Sequence, residues 1–250
     1  MHSNWEAFET EIDGAPAWIL FNEGAARELR QLDLPNLLRV QADYEMTPDG
    51  LPSAEDEDRL QALESELEDW IKALDGRYVG QVTANGLRTM FFYVSCGREE
   101  ARNLIRRIAL RMDIPLGMKM QADPAYEVYF GQLLPTADER RRMRDMTAIA
   151  ALGAAGDDLN EPRPIEHAAC FANRHQAIAF ANWARKNRYI VDGIRSPGEH
   201  QPHFVLQFHK QTPPLPEIIN ADTAAISHMA GQLGGSYEGW RAEPRVAKAG

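Results

Sequence analysis

Between Ile165 and Arg241 the hydrophobic period switches between that of a strand and that of a helix in one order, and few folds accept that order. Ile165 to Phe171 reads as a strand. Asn173 then caps a helix whose Ala177, Phe180, Ala181 and Ala184 share a face. Arg188 to Ile194 is a second strand and Ser196-Pro197-Gly198 a turn. His203 to Lys210 is a third strand, with Phe204, Leu206 and Phe208 on one side. Pro213, Pro214 and Pro216 lead into a helix carrying Ile218, Ile219, Ala225, Ile226, Met229, Ala230 and Leu233. Gly234-Gly235 stops that helix, and Ser236 to Arg241 is the last strand. The order β-α-β-β-α-β predicts a ferredoxin-like domain: an antiparallel sheet with helices on one face and the last strand beside the first. Strict alternation places Tyr237 and Gly239 on one side of that last strand, and Ser236, Glu238 and Trp240 on the other.

The preceding residues follow a different pattern. Asp13-Gly14 is a turn, and Pro16 to Phe21 and Leu37 to Tyr44 are extended. Thr47 to Pro52 is a loop. Ser53 caps a helix with Leu60, Leu63, Leu67, Trp70, Ile71 and Leu74 in one stripe, and Gly76 ends it. Asn85-Gly86 joins the strands Tyr78 to Thr83 and Thr89 to Ser95 as a hairpin. Glu99 to Arg111 is a helix, Tyr126 to Phe130 a strand, and Ala137 to Leu152 a further helix. The expected class is α+β throughout, with an antiparallel α+β sandwich first. The expected layout is a domain at 1–152, a small, polar, Gly/Pro-marked linker at 153–162, and the ferredoxin-like domain at 163–250.

Chemistry is sparse. Cys96 and Cys170 lie 74 residues apart, with neither metal-type spacing nor a disulfide framework. Six of the seven histidines fall between His167 and His228, yet none form the i, i+4 pair of a helical metal clamp. His203 and His209 on an alternating strand would stand roughly 20 Å apart. Scattered surface histidines are the expectation, with no metal and no cofactor. No nucleophile elbow, phosphate loop or dinucleotide fingerprint occurs. Arg140-Arg141-Arg142 and Arg144 are diluted by Asp138, Glu139 and Asp145, and read as a solvated helix face. Residues 1–150 hold 17 Lys and Arg against 27 Asp and Glu, while residues 151–250 hold 10 of each. Direct nucleic-acid binding and a membrane role are therefore not expected, and no catalytic residue is assigned. No secretion signal is evident, so the expected location is cytoplasmic.

Several segments carry a resemblance. Gly156-Asp157-Asp158-Leu159, then Pro162-Arg163-Pro164-Ile165-Glu166-His167, the helix with Ala177 and Phe180, and the close Tyr237-Glu238-Gly239-Trp240 resemble the regulator of ribonuclease E activity B (RraB) family. The resemblance spans about residues 155 to 242. Glu238 stands where that family's motif has aspartate, and the sequence continues Arg241 to Lys248 where well-known members carry an acidic tail. The first part is similar to the family called domain of unknown function 695. Trp5 with Phe8, Asp13-Gly14, Pro16-Ala17, Gly50-Leu51-Pro52, Thr83 with Asn85-Gly86, and Phe91-Phe92-Tyr93 carry that likeness.

The first resemblance implies a non-catalytic protein whose partner is another protein, ribonuclease E or a similar endoribonuclease of RNA decay, bound and inhibited by contact. The candidate contact residues are Asp157, Asp158, Tyr237, Glu238 and Trp240. Two other classes stay open. One is a small-ligand or enzymatic first domain built around Phe91-Phe92-Tyr93. The other is an assembly module that pairs by edge strands. The oligomeric state is not legible in the sequence.

Overall fold

The computed structural model describes residues 4–198 and 202–245. The contacts divide the chain into two compact units, residues 1–136 and 137–250.

The first unit holds β1 (Trp5–Ile12), β2 (Ala15–Asn22), α1 (Ala25–Leu29), β3 (Asn36–Asp43), α2 (Ala54–Ala73), β4 (Arg77–Ala84), β5 (Leu87–Val94), α3 (Arg98–Met112) and β6 (Gly117–Ala122). Its six strands form one antiparallel sheet in the order β1-β2-β4-β5-β3-β6. Two turns seed it. Asp13 and Gly14 have φ of 54° and 79°, and Asn85 and Gly86 have 53° and 75°. Positive φ at both central residues gives the tight turn whose twist matches a hairpin. β5 is paired on both sides, and Met90 to Val94 are all buried there. α2 and α3 cover one face, where Leu60, Leu63, Leu67 and Ile71 meet Ala101, Leu104, Ile105 and Ile108 over Leu38, Val40, Met90, Phe92 and Val94. Each such side chain contributes roughly 1.5–3 kcal/mol of burial free energy. The Ser53 hydroxyl accepts from the Asp56 N–H, as the capping pattern requires.

Four elements here differ from the expectation or go beyond it, the short α1 among them. Tyr126 to Phe130 is not a strand. The Asp123 carboxylate accepts the N–H groups of Glu127 and Val128, at 2.8 and 3.1 Å, and so starts a helical segment that widens into a π-helical turn, Tyr129–Leu133. A cap thus overrides the alternation of Tyr126, Val128 and Phe130. β1 and β6 are edge strands with weak periodicity: only Phe8 of β1 and Met120 of β6 are buried.

The second unit holds α4 (Ala137–Ala154), β7 (Arg163–Phe171), α5 (Arg174–Lys186), β8 (Ile190–Arg195), β9 (Phe204–Thr212), α6 (Pro216–Gln232) and β10 (Gly235–Arg241). From β7 onward the order is β-α-β-β-α-β, and the antiparallel sheet runs β10-β7-β9-β8. This is the ferredoxin-like arrangement, with the last strand beside the first. Phe171, Phe180, Leu206, Phe208, Ile226 and Ala230 fill the core between the sheet and α5 and α6. Asn173 caps α5 by accepting from the Gln176 N–H. Gly234, at φ 71°, ends α6. At Gly235 the two strands come so close that a Cβ would stand 2.3 Å from the Phe171 ring and 2.6 Å from the Cys170 carbonyl oxygen.

α4 belongs to this second unit, whereas a boundary at 152 would leave it with the first. Its Ile149 packs with Ile165 and Ile219, and its Arg141 and Asp145 are buried against α6. The sequence places Ala137 to Leu152 as the last helix before the linker. Its inward polar side chains instead complete the second unit.

Candidate functional site

The five candidate contact residues gather around β10 and the segment before β7. A β-bulge decides how β10 presents them. Tyr237 pairs with Ala169, Gly239 with Ala168 and Trp240 with His167, so Glu238 is the extra residue. Gly239 takes φ 121°, which L side chains rarely adopt. Ala169 and His167 both point into the core. Tyr237 and Trp240 therefore share the helix-covered face, and the strict alternation expected of this strand is broken by one residue.

Each aromatic has an internal polar partner. The Tyr237 hydroxyl lies 2.9 Å from His167 Nδ1. His167 is 3% exposed and stacks on Phe208 with ring centroids 5.3 Å apart. Burial lowers its pKa to about 4, so it is neutral near neutral pH. It is a core residue, contrary to the surface histidine expected, and its position in the β7 alternation explains why. The Trp240 indole donates to Asp145 Oδ1 at 2.8 Å. Thr223 Oγ1 donates to Asp145 Oδ2 at 2.6 Å and accepts from Arg141 Nη1 at 2.7 Å. Burial pushes the Asp145 carboxyl up, against the lowering effect of these bonds. Arg141 is only 7% exposed, so the arginine run is not a uniformly solvated face.

Asp157 is also internal. Its carboxylate makes a two-pronged ion pair with Arg163, and both side chains are essentially inaccessible. Arg163 further donates to the carbonyls of Asp158 and Glu243, at 2.9 and 3.1 Å. The Arg245 N–H donates to Asp157 Oδ2 at 2.6 Å, and the Asp158 N–H to the Arg245 carbonyl at 3.1 Å. The expected linker is therefore a clasp that ties the approach to β7 to the chain leaving β10. The Arg163 guanidinium holds the Asp157 carboxyl below its usual range.

Asp158 and Glu238 remain on the surface. Asp158 accepts from the Asn160 N–H at 3.0 Å, and Glu238 from the Ser236 hydroxyl at 2.6 Å. Glu238, Gly239 and Trp240 border an open groove of about 400 Å³ with Glu166, Asp192, Gln207 and Arg241. Arg241 pairs with Glu166 at 2.5 Å, and His209 with Asp192 at 2.9 Å. The groove offers charged and amide groups to a polar surface, with a floor kept low by Ala168 and Gly239.

In the first unit Phe92 and Tyr93 are fully packed. The Tyr93 hydroxyl donates to Asp123 at 2.6 Å, so these aromatics build the core rather than line a ligand site. Among the described residues no group of three or more His, Cys, Asp or Glu could hold a metal ion. No described helix is long and apolar enough to cross a membrane.

Residues 143–241 match the family described as regulator of ribonuclease activity B. A solved structure, described as an unknown protein from Galdieria sulphuraria, is similar at 8% identity and a TM-score of 0.21, covering 85% of this chain and 99% of that one. No curated protein matches this sequence. Residues 3–134 match the family described as a family of unknown function, DUF695, and with more than half its length so matched the chain belongs to that family.

Proposed function

We propose that the protein is a non-catalytic regulator that binds an endoribonuclease of the ribonuclease E type through its second unit and lowers the nuclease's activity. The observation that carries this reading is the match of residues 143–241 to the regulator of ribonuclease activity B family. The geometry supports contact rather than chemistry. Ionisable side chains below the β10 region are locked into internal bonds, and the accessible ones line an open groove. Of the five candidate residues, Asp158 and Glu238 would meet the partner directly. Asp157, Tyr237 and Trp240 would hold the clasp and the bulge that present them. The exposed carboxylates of Asp158 and Glu238 suit a basic scaffold segment of a nuclease. Such a regulator would act in the cytoplasm, where RNA decay takes place.

The test is a pull-down of a purified ribonuclease E scaffold by the full chain at low salt. The wild type should retain the scaffold, and Glu238→Lys should weaken binding roughly fivefold to tenfold, within the range for one reversed interface charge. Failure of the wild type to bind would remove the nuclease as partner. Equal binding by Glu238→Lys would remove the β10 groove as the contact.

A further inference from the structure

The outward side of α3 presents a surface that the fold of the first unit does not use. α3 buries Ala101, Leu104, Ile105 and Ile108. Asn103, Arg106, Arg107 and Leu110 lie on the opposite face at helical spacing. Leu110 is 78% exposed, one turn beyond Arg106 and Arg107. Trp70 of α2, 37% exposed, stands against Arg107 and Arg111 of the same helix α3. The Arg107 and Arg111 guanidinium carbons lie 5.4 and 5.8 Å from the Trp70 ring centroid, and the indole N–H donates to Glu66. Arg111 also pairs with Glu66. The tryptophan is thus held in place by cation–π contacts and one hydrogen bond.

Arginines in the second half of a helix complement its dipole, and that alone would account for some of them. It does not account for a bare leucine among them. Nor does it account for the local sign of charge. α3 carries five Arg and two Glu, while residues 1–136 hold 13 Lys and Arg against 24 Asp and Glu. A cationic patch with a tryptophan, set on an anionic body, has the arginine and tryptophan that dominate interface energetics, and the exposed Leu110 adds apolar area that leaves water on contact.

We propose that this face docks an acidic segment of a protein partner, one carrying an apolar side chain that covers Leu110. Charge complementarity selects the acidic segment. The leucine selects protein over nucleic acid, since a phosphate backbone would leave it wet. Two guanidinium groups already sit against the Trp70 ring, where a stacking base would have to lie. The surrounding negative charge repels a long polyanion but tolerates a short acidic stretch confined to the patch. The proposal stands apart from the ribonuclease reading, which concerns the second unit.

The test uses the full chain and two fluorescein-labelled peptides of Asp and Glu, one with two leucines and one with serines in their place. Binding is read by fluorescence anisotropy at low ionic strength. The wild type should bind the leucine peptide more tightly. Arg106→Glu should weaken both peptides about tenfold. Leu110→Ser should weaken only the leucine peptide, roughly fivefold. Both positions are exposed, and unchanged thermal unfolding would establish that the variants are folded. The proposal is overturned if the wild type binds neither peptide or if the variants bind as the wild type does. It is overturned equally if a uridine-rich RNA oligonucleotide binds more tightly and Arg106→Glu abolishes that binding. Self-association that Leu110→Ser removes would also overturn it, assigning the face to a second copy of the chain.

Discussion

His167 makes the second unit's stability depend on pH. Its pKa is lowered to about 4 by burial, against an ordinary value near 6.5, and Asp222, Lys210 and His209 act on it more weakly. The unfolded chain therefore binds a proton on this ring between those two values while the folded chain does not. The stabilising effect is complete above about pH 6.5 and is lost as the pH falls toward 4, by roughly 3 kcal/mol in all. Denaturant unfolding of residues 137–250 across that window should show this slope, and His167→Gln should flatten it. Asp145 supplies the companion case. Trp240→Phe removes the indole donor and leaves one oxygen of a buried carboxylate short of a partner, at a cost of about 1–3 kcal/mol in chemical denaturation. A surface tryptophan would show less than half a kcal/mol. The inward place of His167 was open to sequence reading, because it shares the β7 alternation with Ile165, Ala169 and Phe171. The Trp240–Asp145–Thr223–Arg141 chain was not, because its members come from β10, α4 and α6, and no local pattern links them.

At the scale of elements, periodicity carried the reading where an element has one wide apolar face. α2, α3, α5 and α6 fall where their apolar spacing predicts, and Asn85-Gly86 turns where its chemistry predicts. The reading failed where one hydrogen bond or one extra residue decides. Asp123 converts Tyr126 to Phe130 from an apparent strand into a helical turn, and Glu238 converts the alternation of β10 into a bulge. β1 and β6 bury too little to leave a pattern. The two glycines of β10, Gly235 and Gly239, should respond differently to alanine. Gly239→Ala meets no atom but forces φ 121° on an L residue, costing about 1–3 kcal/mol. Gly235→Ala drives a methyl group into the Phe171 ring and the Cys170 carbonyl, and should cost more than Gly239→Ala. Denaturant midpoints of the two variants check the order. A larger loss for Gly239→Ala would mean that strain rather than close packing governs this strand.

At the scale of the whole chain, the structural division after Thr136 predicts how fragments behave. A fragment of residues 137–250 keeps α4, with Ile149 against Ile165 and Ile219 and Asp145 under Trp240. It should unfold cooperatively. A fragment that starts at residue 153 has the full β-α-β-β-α-β order yet strands Thr223 and Trp240 without Asp145. It should melt several degrees lower or lose its cooperative transition, as followed by circular dichroism. The sequence by itself determined the α+β class and the ferredoxin-like order of the second unit, because these rest on period and turn chemistry, which are local; both family resemblances rest on short motifs such as Tyr237-Glu238-Gly239-Trp240 and Phe91-Phe92-Tyr93. Only the tertiary structure decided that α4 joins the second unit, that Asp157 closes a clasp with Arg163, and that Tyr237 and Trp240 turn inward while Glu238 stays out. Those outcomes depend on buried polar groups finding partners far along the chain. The cost of leaving such groups unpaired is set by their surroundings rather than by their neighbours in sequence.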